Sequence, residues 1–334
     1  MKTIGDLGEF AFIRSYLKKQ FFPRKPNVLH GIGDDCAVVR MSDQCYSLWS
    51  ADILCEGIHF DLKTTSAEDL GYKCIAVNVS DIASMGGKAE GVLISASIPP
   101  KTELEWLKNF TRGVQEALLD YDICVLGGDT SKSRKDLLFS ISIQGQVSPE
   151  MLKLRSTAKE GDVICVTGLL GASSLGMELL QKKLLERTEG ENECIQAHVR
   201  PRAHLREGQF LASYSALTAM IDLSDGIGGD LYKIADESDV GFVVDVNKLP
   251  LPSYLENLRT LGKKDYLSYA LSGGEDYCLL CTIGSDQYEE INKSFKREFS
   301  RDLTCVGVVT GKEDKVFLHN GEPIEWLNGY DHFN

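Results

Sequence analysis

Thr218-Ala-Met-Ile-Asp-Leu-Ser-Asp-Gly-Ile-Gly-Gly-Asp230 is an apolar run that stops in two aspartates three residues apart and then turns through glycines into Leu231-Tyr-Lys-Ile-Ala-Asp236. The pattern predicts a buried strand, a tight turn and a helix starting near Ser224. Asp222, Asp225 and free backbone N–H groups then meet at one mouth, a place suited to metal ions and phosphates. Ile75-Ala-Val-Asn-Val-Ser-Asp-Ile-Ala-Ser-Met-Gly-Gly87 has the same grammar, with Asn78 matching Asp222 and Asp81 matching Asp225. The two stretches read as copies of one device facing a shared site.

At 334 residues the chain predicts two domains, each able to bury a core. The divide is placed at 148/149, just before Pro149's neighbourhood opens the second half. A formal net charge of −13 excludes a duplex nucleic-acid binder, because phosphate contacts need a basic surface. No apolar stretch reaches the roughly 20 residues of a membrane helix, and the acidic start Met1-Lys-Thr-Ile-Gly-Asp-Leu-Gly-Glu9 is not a signal peptide. The expectation is a cytoplasmic protein with neither membrane nor nucleic-acid partner. Its ten cysteines, scattered through apolar runs, read as reduced thiols. Cys278-Leu-Leu-Cys281 lies in a core strand; a zinc site would need a second such pair, and a redox motif normally opens a helix.

Residues 5 to 21 show apolar positions at helical spacing, ending before Pro23. Gly31-Ile-Gly-Asp-Asp-Cys-Ala-Val-Val39 puts paired aspartates before a strand, where a plain turn would explain them as well. Asp52, inside the strand Leu48 to Leu54, is the more telling residue, since a charge within an apolar strand is costly unless paired or bound to a metal. Residues 66 to 87 read as a helix leading into Ser80-Asp81. A strand from Glu90 to Ile98, a helix from Glu103 to Leu119, a strand from Ile123 to Leu126 ending in Gly127-Gly-Asp-Thr130, and a strand from Leu138 to Val147 follow. This order predicts an α+β architecture with mixed sheets. Gly171 to Gly176 has the gap of a phosphate loop, but Met177 and Glu178 stand where Lys and Ser/Thr are required, so a strand-to-helix turn is the better reading. Residues 181 to 198 are polar and read as a mobile connection.

Singly, each aspartate is more often a turn or cap residue than a ligand. Together, Asp35, Asp52, Asp81, Asp129, Asp222 and Asp225 all sit inside or at the ends of strand-like runs. Unit charges about 4 Å apart repel by roughly 4 kcal/mol at an effective dielectric near 20, so converging carboxylates call for cations. Oxygen-only ligands select hard ions such as Mg²⁺, which commonly share their shell with substrate phosphates. The chemistry this points to is metal-assisted phosphoryl transfer.

Gly33-Asp-Asp-Cys-Ala37, Asp52-Ile-Leu-Cys-Glu-Gly-Ile-His-Phe60, Ala76-Val-Asn-Val-Ser-Asp-Ile-Ala-Ser-Met-Gly86, Gly127-Gly-Asp-Thr130, Asp222-Leu-Ser-Asp-Gly226, Ser272-Gly-Gly-Glu-Asp-Tyr277 and Gly329-Tyr-Asp-His-Phe333 resemble the thiamine-monophosphate kinase family across essentially the whole chain. The resemblance implies a two-domain fold like that of aminoimidazole ribonucleotide synthetase, dimeric through its N-terminal domains, transferring the ATP γ-phosphoryl group to thiamine monophosphate. It also implies that Asp35, Ser50, Asp52, Asp81, Asp129, Asp222 and Asp225 hold Mg²⁺, and that Gly128, Asp129, Arg155 and Ser224 contact ATP. His59, Glu275 and Tyr330 would border the acceptor, with Asp52, Asp81, Asp222 and Arg155 carrying catalysis. Ala51 departs from the Thr common in the family, which predicts the loss of one hydroxyl ligand. A hydrogenase-maturation dehydratase should end in a reactive cysteine, whereas this chain ends His332-Phe-Asn334. A selenophosphate synthetase should carry a reactive Cys or selenocysteine before the first helix, where none stands. A non-catalytic thiamine-phosphate or nucleotide-binding regulator on the same scaffold is the alternative from another class.

Overall fold

The computed structural model describes residues 3–21, 25–182, 186–262, 266–324 and 329. Its opening helical segment comprises α1 (Glu9–Phe12), a wider π-type turn (Ile13–Leu17) and α2 (Lys18–Gln20). The first sheet is formed by β1 (Val28–His30), β2 (Ala37–Arg40), β3 (Tyr46–Cys55), β4 (Lys88–Ile98), β5 (Cys124–Lys132) and β6 (Leu138–Val147), interrupted by α3 (Ala67–Ser84) and α4 (Leu104–Asp120). The later strands are β7 (Val163–Val166), β8 (Leu217–Asp222), β9 (Gly241–Asp245), β10 (Leu279–Ile283), β11 (Thr304–Thr310), β12 (Lys315–His319) and β13 (Glu322–Ile324). Helices α5 (Ala172–Gln181), α6 (Glu189–Val199), α7 (Leu205–Ala212), α8 (Ile227–Ser238), α9 (Ser253–Thr260), α10 (Tyr266–Ser272) and α11 (Tyr288–Phe299) lie among them.

The first sheet runs β1-β2-β3-β6-β4-β5, antiparallel except for the β4–β5 pair, which the α4 crossover joins in parallel. The second runs β13-β12-β9-β11-β7-β10-β8, with only β9 and β12 parallel. This is the mixed-sheet α+β architecture expected. β10 shows why its sequence is an unbroken apolar run. Leu279, Cys281 and Ile283 join the core shared with the first sheet, while Leu280 joins the core on the other face. A strand covered on both sides has no polar alternation to display.

Helix α3 holds the two halves together. Every residue of it except Glu68, Asp69 and Asp81 is buried, because it lies between the first sheet and the β8 and α7 region of the second half. Glycines permit its close crossings: a Cβ on Gly113 of α4 would stand 1.7 Å from Glu68 O, and one on Gly208 of α7 2.2 Å from Ala83 O. Ser66 caps α3, its hydroxyl accepting from Asp69 N–H at 3.0 Å. Ser80 and Asp81 therefore lie inside a helix. The expected repeat of the strand-turn-helix device at 75–87 is corrected, since only Asp222 and Asp225 occupy that setting.

Two further expectations change. Strand β5 does not stop at Leu126 but continues through Gly127 and Gly128 to Lys132, because a Cβ on Gly128 would meet Ile94 O at 1.8 Å and glycine removes it. The described part of 181–198 is largely helix α6, with Thr188 and Glu191 forming a reciprocal capping box.

Candidate active site

Carboxylate oxygens of Asp35, Asp81 and Asp222 lie within 4.8 Å of one another. They arrive from three directions: the loop before β2, the body of α3 and the end of β8. The loop from Leu223 to Gly226 then turns into α8, and its Gly226 has φ 90°, a left-handed value natural to glycine. Asp225 N–H donates to Asp230 Oδ2 at 3.0 Å, so the first donor at this mouth is satisfied internally.

The pleat of β3 supplies the next groups. Ser50 and Asp52 share one face of the strand, and Ser50 Oγ donates to Asp81 Oδ2 at 2.5 Å. Asp52 N–H donates to Asn78 Oδ1 at 3.1 Å, and Asn78 lies one turn before Asp81 on the same side of α3. Ala51 points to the opposite, exposed face with Trp49 and Ile53. A threonine there would present its hydroxyl away from the aspartates, so no side-chain ligand is lost at this position.

Burial comes first among the causes that shift these carboxyls. It raises Asp222 well above the usual range, assisted by Asp35 and Asp230, and does the same to Asp81 with Asp52 and Asp222. Asp52 is pushed up to about 6 by burial and then by Asp35 and Asp225. Asp34 is pushed up to about 7 by burial and by Asp35. Two cations oppose this crowding. Arg155 ion-pairs with Asp35, and its backbone N–H donates to Asp34 Oδ2 at 3.1 Å. Lys233 Nζ lies 2.6 Å from Asp225 Oδ2 and 2.7 Å from Asp230 Oδ1. Asp35 Oδ2 is nevertheless buried with no hydrogen-bond partner among the described residues. An orphaned carboxylate oxygen within an all-oxygen donor set fits a hard divalent cation.

A cleft of about 470 Å³ between the two halves opens beside this cluster. Asp52, His59, Ser224, Asp225, Glu275 and Tyr277 line it, with an apolar wall that includes Ile58 and Met177. His59 is fixed in the turn after β3, its Nδ1 accepting from Cys55 N–H at 3.1 Å. Glu275 meets Lys73 and His198, at 2.8 Å and 3.2 Å. Asp276 accepts from Gly171 N–H at 2.8 Å and Ser173 N–H at 3.4 Å, so its carboxylate occupies the α5 N-terminus. That confirms the strand-to-helix turn at Gly171 and leaves no phosphate loop there.

Most of the expected site residues thus come together. Asp129 and Gly128 stand apart on β5, opposite Ser95 and Ile94 of β4, where Asp129 is exposed. Tyr330 lies outside the described residues. Asn78, Lys73, His198 and Lys233 are participants that sequence reasoning did not nominate as ligands or contacts. Asn78 stood out only as the counterpart of Asp222, and Lys233 by its place three residues after Asp230 on one helix face; Lys73 and His198 left no local signal.

These paired sheets, with aspartates converging at their junction, define a class. The description AIR synthase related protein, N-terminal domain, matches residues 33–147, and its C-terminal counterpart matches residues 159–319. Within that class the chain belongs to the thiamine-monophosphate kinase family. It is 35% identical over 329 residues to the thiamine-monophosphate kinase of Buchnera aphidicola subsp. Acyrthosiphon pisum, covering 98% of this chain and 99% of the relative. It is 35% identical to that of Escherichia coli K12, covering 98% of each. The solved structure of AaThiL complexed with AMPPCP and TMP superposes with a TM-score of 0.86 at 32% identity, covering 99% of both chains.

Proposed function

We infer that this chain transfers the γ-phosphoryl group of ATP to thiamine monophosphate, forming thiamine diphosphate. The observation that carries the reading is the Asp35–Asp81–Asp222 cluster beside a cleft that also receives Asp52, Ser224, Asp225, His59 and Glu275. Family membership over nearly the full length supports the reaction and the use of ATP as donor.

We propose that Asp35, Ser50, Asp52, Asp81, Asp222 and Asp225 hold Mg²⁺, with Asp129, apart from this cluster on β5, holding a further ion. When bound, the metal neutralises charge between two mutually repelling phosphate groups. The acceptor is a phosphate monoester with a second pKa near 6, so its oxygen is largely ionised at neutral pH and no general base is needed. What the chain supplies is alignment and fixed charge. Arg155, inside the cluster, is placed to shift its charge from Asp35 to an incoming phosphate. Ser50 orients Asp81, and Asn78 fixes the backbone of Asp52. Gly128, Asp129, Arg155 and Ser224 are proposed to contact ATP, while His59, Glu275 and Tyr330 border the acceptor.

The proposed domains are residues 1–148 and 149–334. A homodimer is also proposed, through the face and edge of the first sheet not covered by α3 and α4. Trp49, Ile53, Leu93, Val125 and Leu126 are exposed there, and every residue of β5 is exposed. No helix among the described residues is long and apolar enough to cross a membrane. A cytoplasmic setting is proposed because all ten cysteines are free thiols. A coupled ADP-release assay with ATP and thiamine monophosphate, with and without Mg²⁺, tests the reading. Metal-dependent ADP formation with the monophosphate but not with thiamine is expected. ADP formation indifferent to the acceptor would refute it.

A further inference from the structure

Glu275 reaches the cleft from a loop that leaves it little freedom. Its φ of 65° is unusual for a long side chain. Its N–H donates to Ser224 O at 2.8 Å, while the next residue, Asp276, is anchored on α5. Behind it stands Lys73, in the middle of α3 with 2% of its side chain exposed. Lys73 Nζ lies 2.8 Å from Glu275 Oε1 and 3.5 Å from His59 O. From the other half of the molecule, His198 Nδ1 lies 3.2 Å from Glu275 Oε2 and 3.1 Å from Ser173 Oγ.

Lysine is almost never so deeply buried without a partner, and the apolar surroundings of α3 would pack a methionine as well. The ammonium is therefore there for Glu275. Both carboxylate oxygens are held, one from each half of the molecule, yet a quarter of the Glu275 side chain stays open to the cleft. Each oxygen offers two lone-pair directions, so the clamp leaves acceptor capacity for a ligand. Burial pushes this carboxyl up, but the Lys73 charge and the His198 hydrogen bond outweigh it and hold the carboxyl down at about 2.

We propose that Lys73 and His198 are positioning residues that fix Glu275 as an ionised, oriented hydrogen-bond acceptor for the flat amino-substituted nitrogen heterocycle of the acceptor substrate. This rests on the reading of Glu275 as a substrate contact. An acceptor immobilised beforehand loses little freedom on binding, so the clamp sets affinity for the acceptor and leaves the phosphoryl-transfer step alone.

Steady-state kinetics of the full chain, with ATP and thiamine monophosphate varied separately, test this. K73M and H198A should raise KM for thiamine monophosphate about ten-fold or more, with kcat within about three-fold and KM for ATP unchanged. K73R and H198N, which restore a donor, should recover most of the loss. K73M/E275Q should be no worse than E275Q alone, because Lys73 acts through Glu275. If K73M does not fold, the double variant, with no charge left unpaired, and the His198 pair decide the matter. A K73M penalty that adds in full on E275Q, or losses shared equally by kcat and both KM values, would mark a merely structural lysine and overturn the proposal. Wild-type protein inactive on thiamine monophosphate would overturn the function reading itself. Active wild type whose KM ignores E275Q and H198A would overturn this inference alone.

Discussion

Asp52→Asn separates the catalytic from the structural consequences of crowding carboxylates. Asp52 carries its carboxyl at about 6 instead of 3.8, chiefly through burial and then through Asp35 and Asp225. The folded protein therefore binds this proton more tightly than the unfolded chain does. Its ionisation costs nothing below about pH 4, costs more as pH rises, and reaches its full effect above about pH 6. At 1.36 kcal/mol per pH unit the shift corresponds to about 3 kcal/mol. At roughly 2 °C per kcal/mol for a chain of this size, the metal-free variant should melt about 6 °C above the wild type at pH 8. The two should melt together at pH 4. With Mg²⁺, ATP and thiamine monophosphate present, turnover of the same variant should fall by about 10²–10³-fold, the scale of losing one electrostatic transition-state contact. Thermal melts in chelator and a coupled ADP assay measure the two effects. A variant that melts below wild type at pH 8, or keeps near-normal turnover, would rule out a costly, catalytically required charge at Asp52.

The wild-type metal-free protein should itself lose stability between about pH 4 and pH 7, the interval between the ordinary carboxyl range and the raised values of Asp52 and Asp230 (each about 6) and Asp34 (about 7), and Mg²⁺ should flatten that decline; melts across the range check it. Gly113→Ala places a Cβ 1.7 Å from Glu68 O and should cost about 1–3 kcal/mol of stability, read by denaturant unfolding, with KM values little changed. Leu126→Lys, on the bare face of the first sheet, should convert a dimer to a monomer in light scattering while circular dichroism stays the same.

Much of this was legible from residue patterns, and what was not has identifiable physical causes. Asp222, Asp225 and the turn after β8 follow the ordinary grammar of a strand ending in polar residues. Asp81 lies in the segment read as a helix, but its apparent kinship with the turn after β8 came from shared spelling, Ser-Asp after an apolar run, which α3 shows because it is buried nearly all round. The polarity of 181–198 masked α6, although Thr188 and Glu191 already spelled a capping box. The glycines of β5 looked like a stop, and they are a close approach to Ile94. The pairings Arg155–Asp35 and Lys73–Glu275 span 120 and about 200 positions, so no local pattern could reveal them. Nor could the fate of Ala51, which depends on the direction of the β3 pleat.

On the proposed mechanism three distant aspartates gather a hard cation for two phosphates. Titration of metal-free protein with Mn²⁺ in the presence of AMPPCP and thiamine monophosphate, followed by electron paramagnetic resonance, reads that cation itself. Wild type should bind the ion tightly, and Asp222→Asn and Asp81→Asn should each weaken binding by about ten-fold or more. Equal Mn²⁺ affinity in all three proteins would contradict the claim.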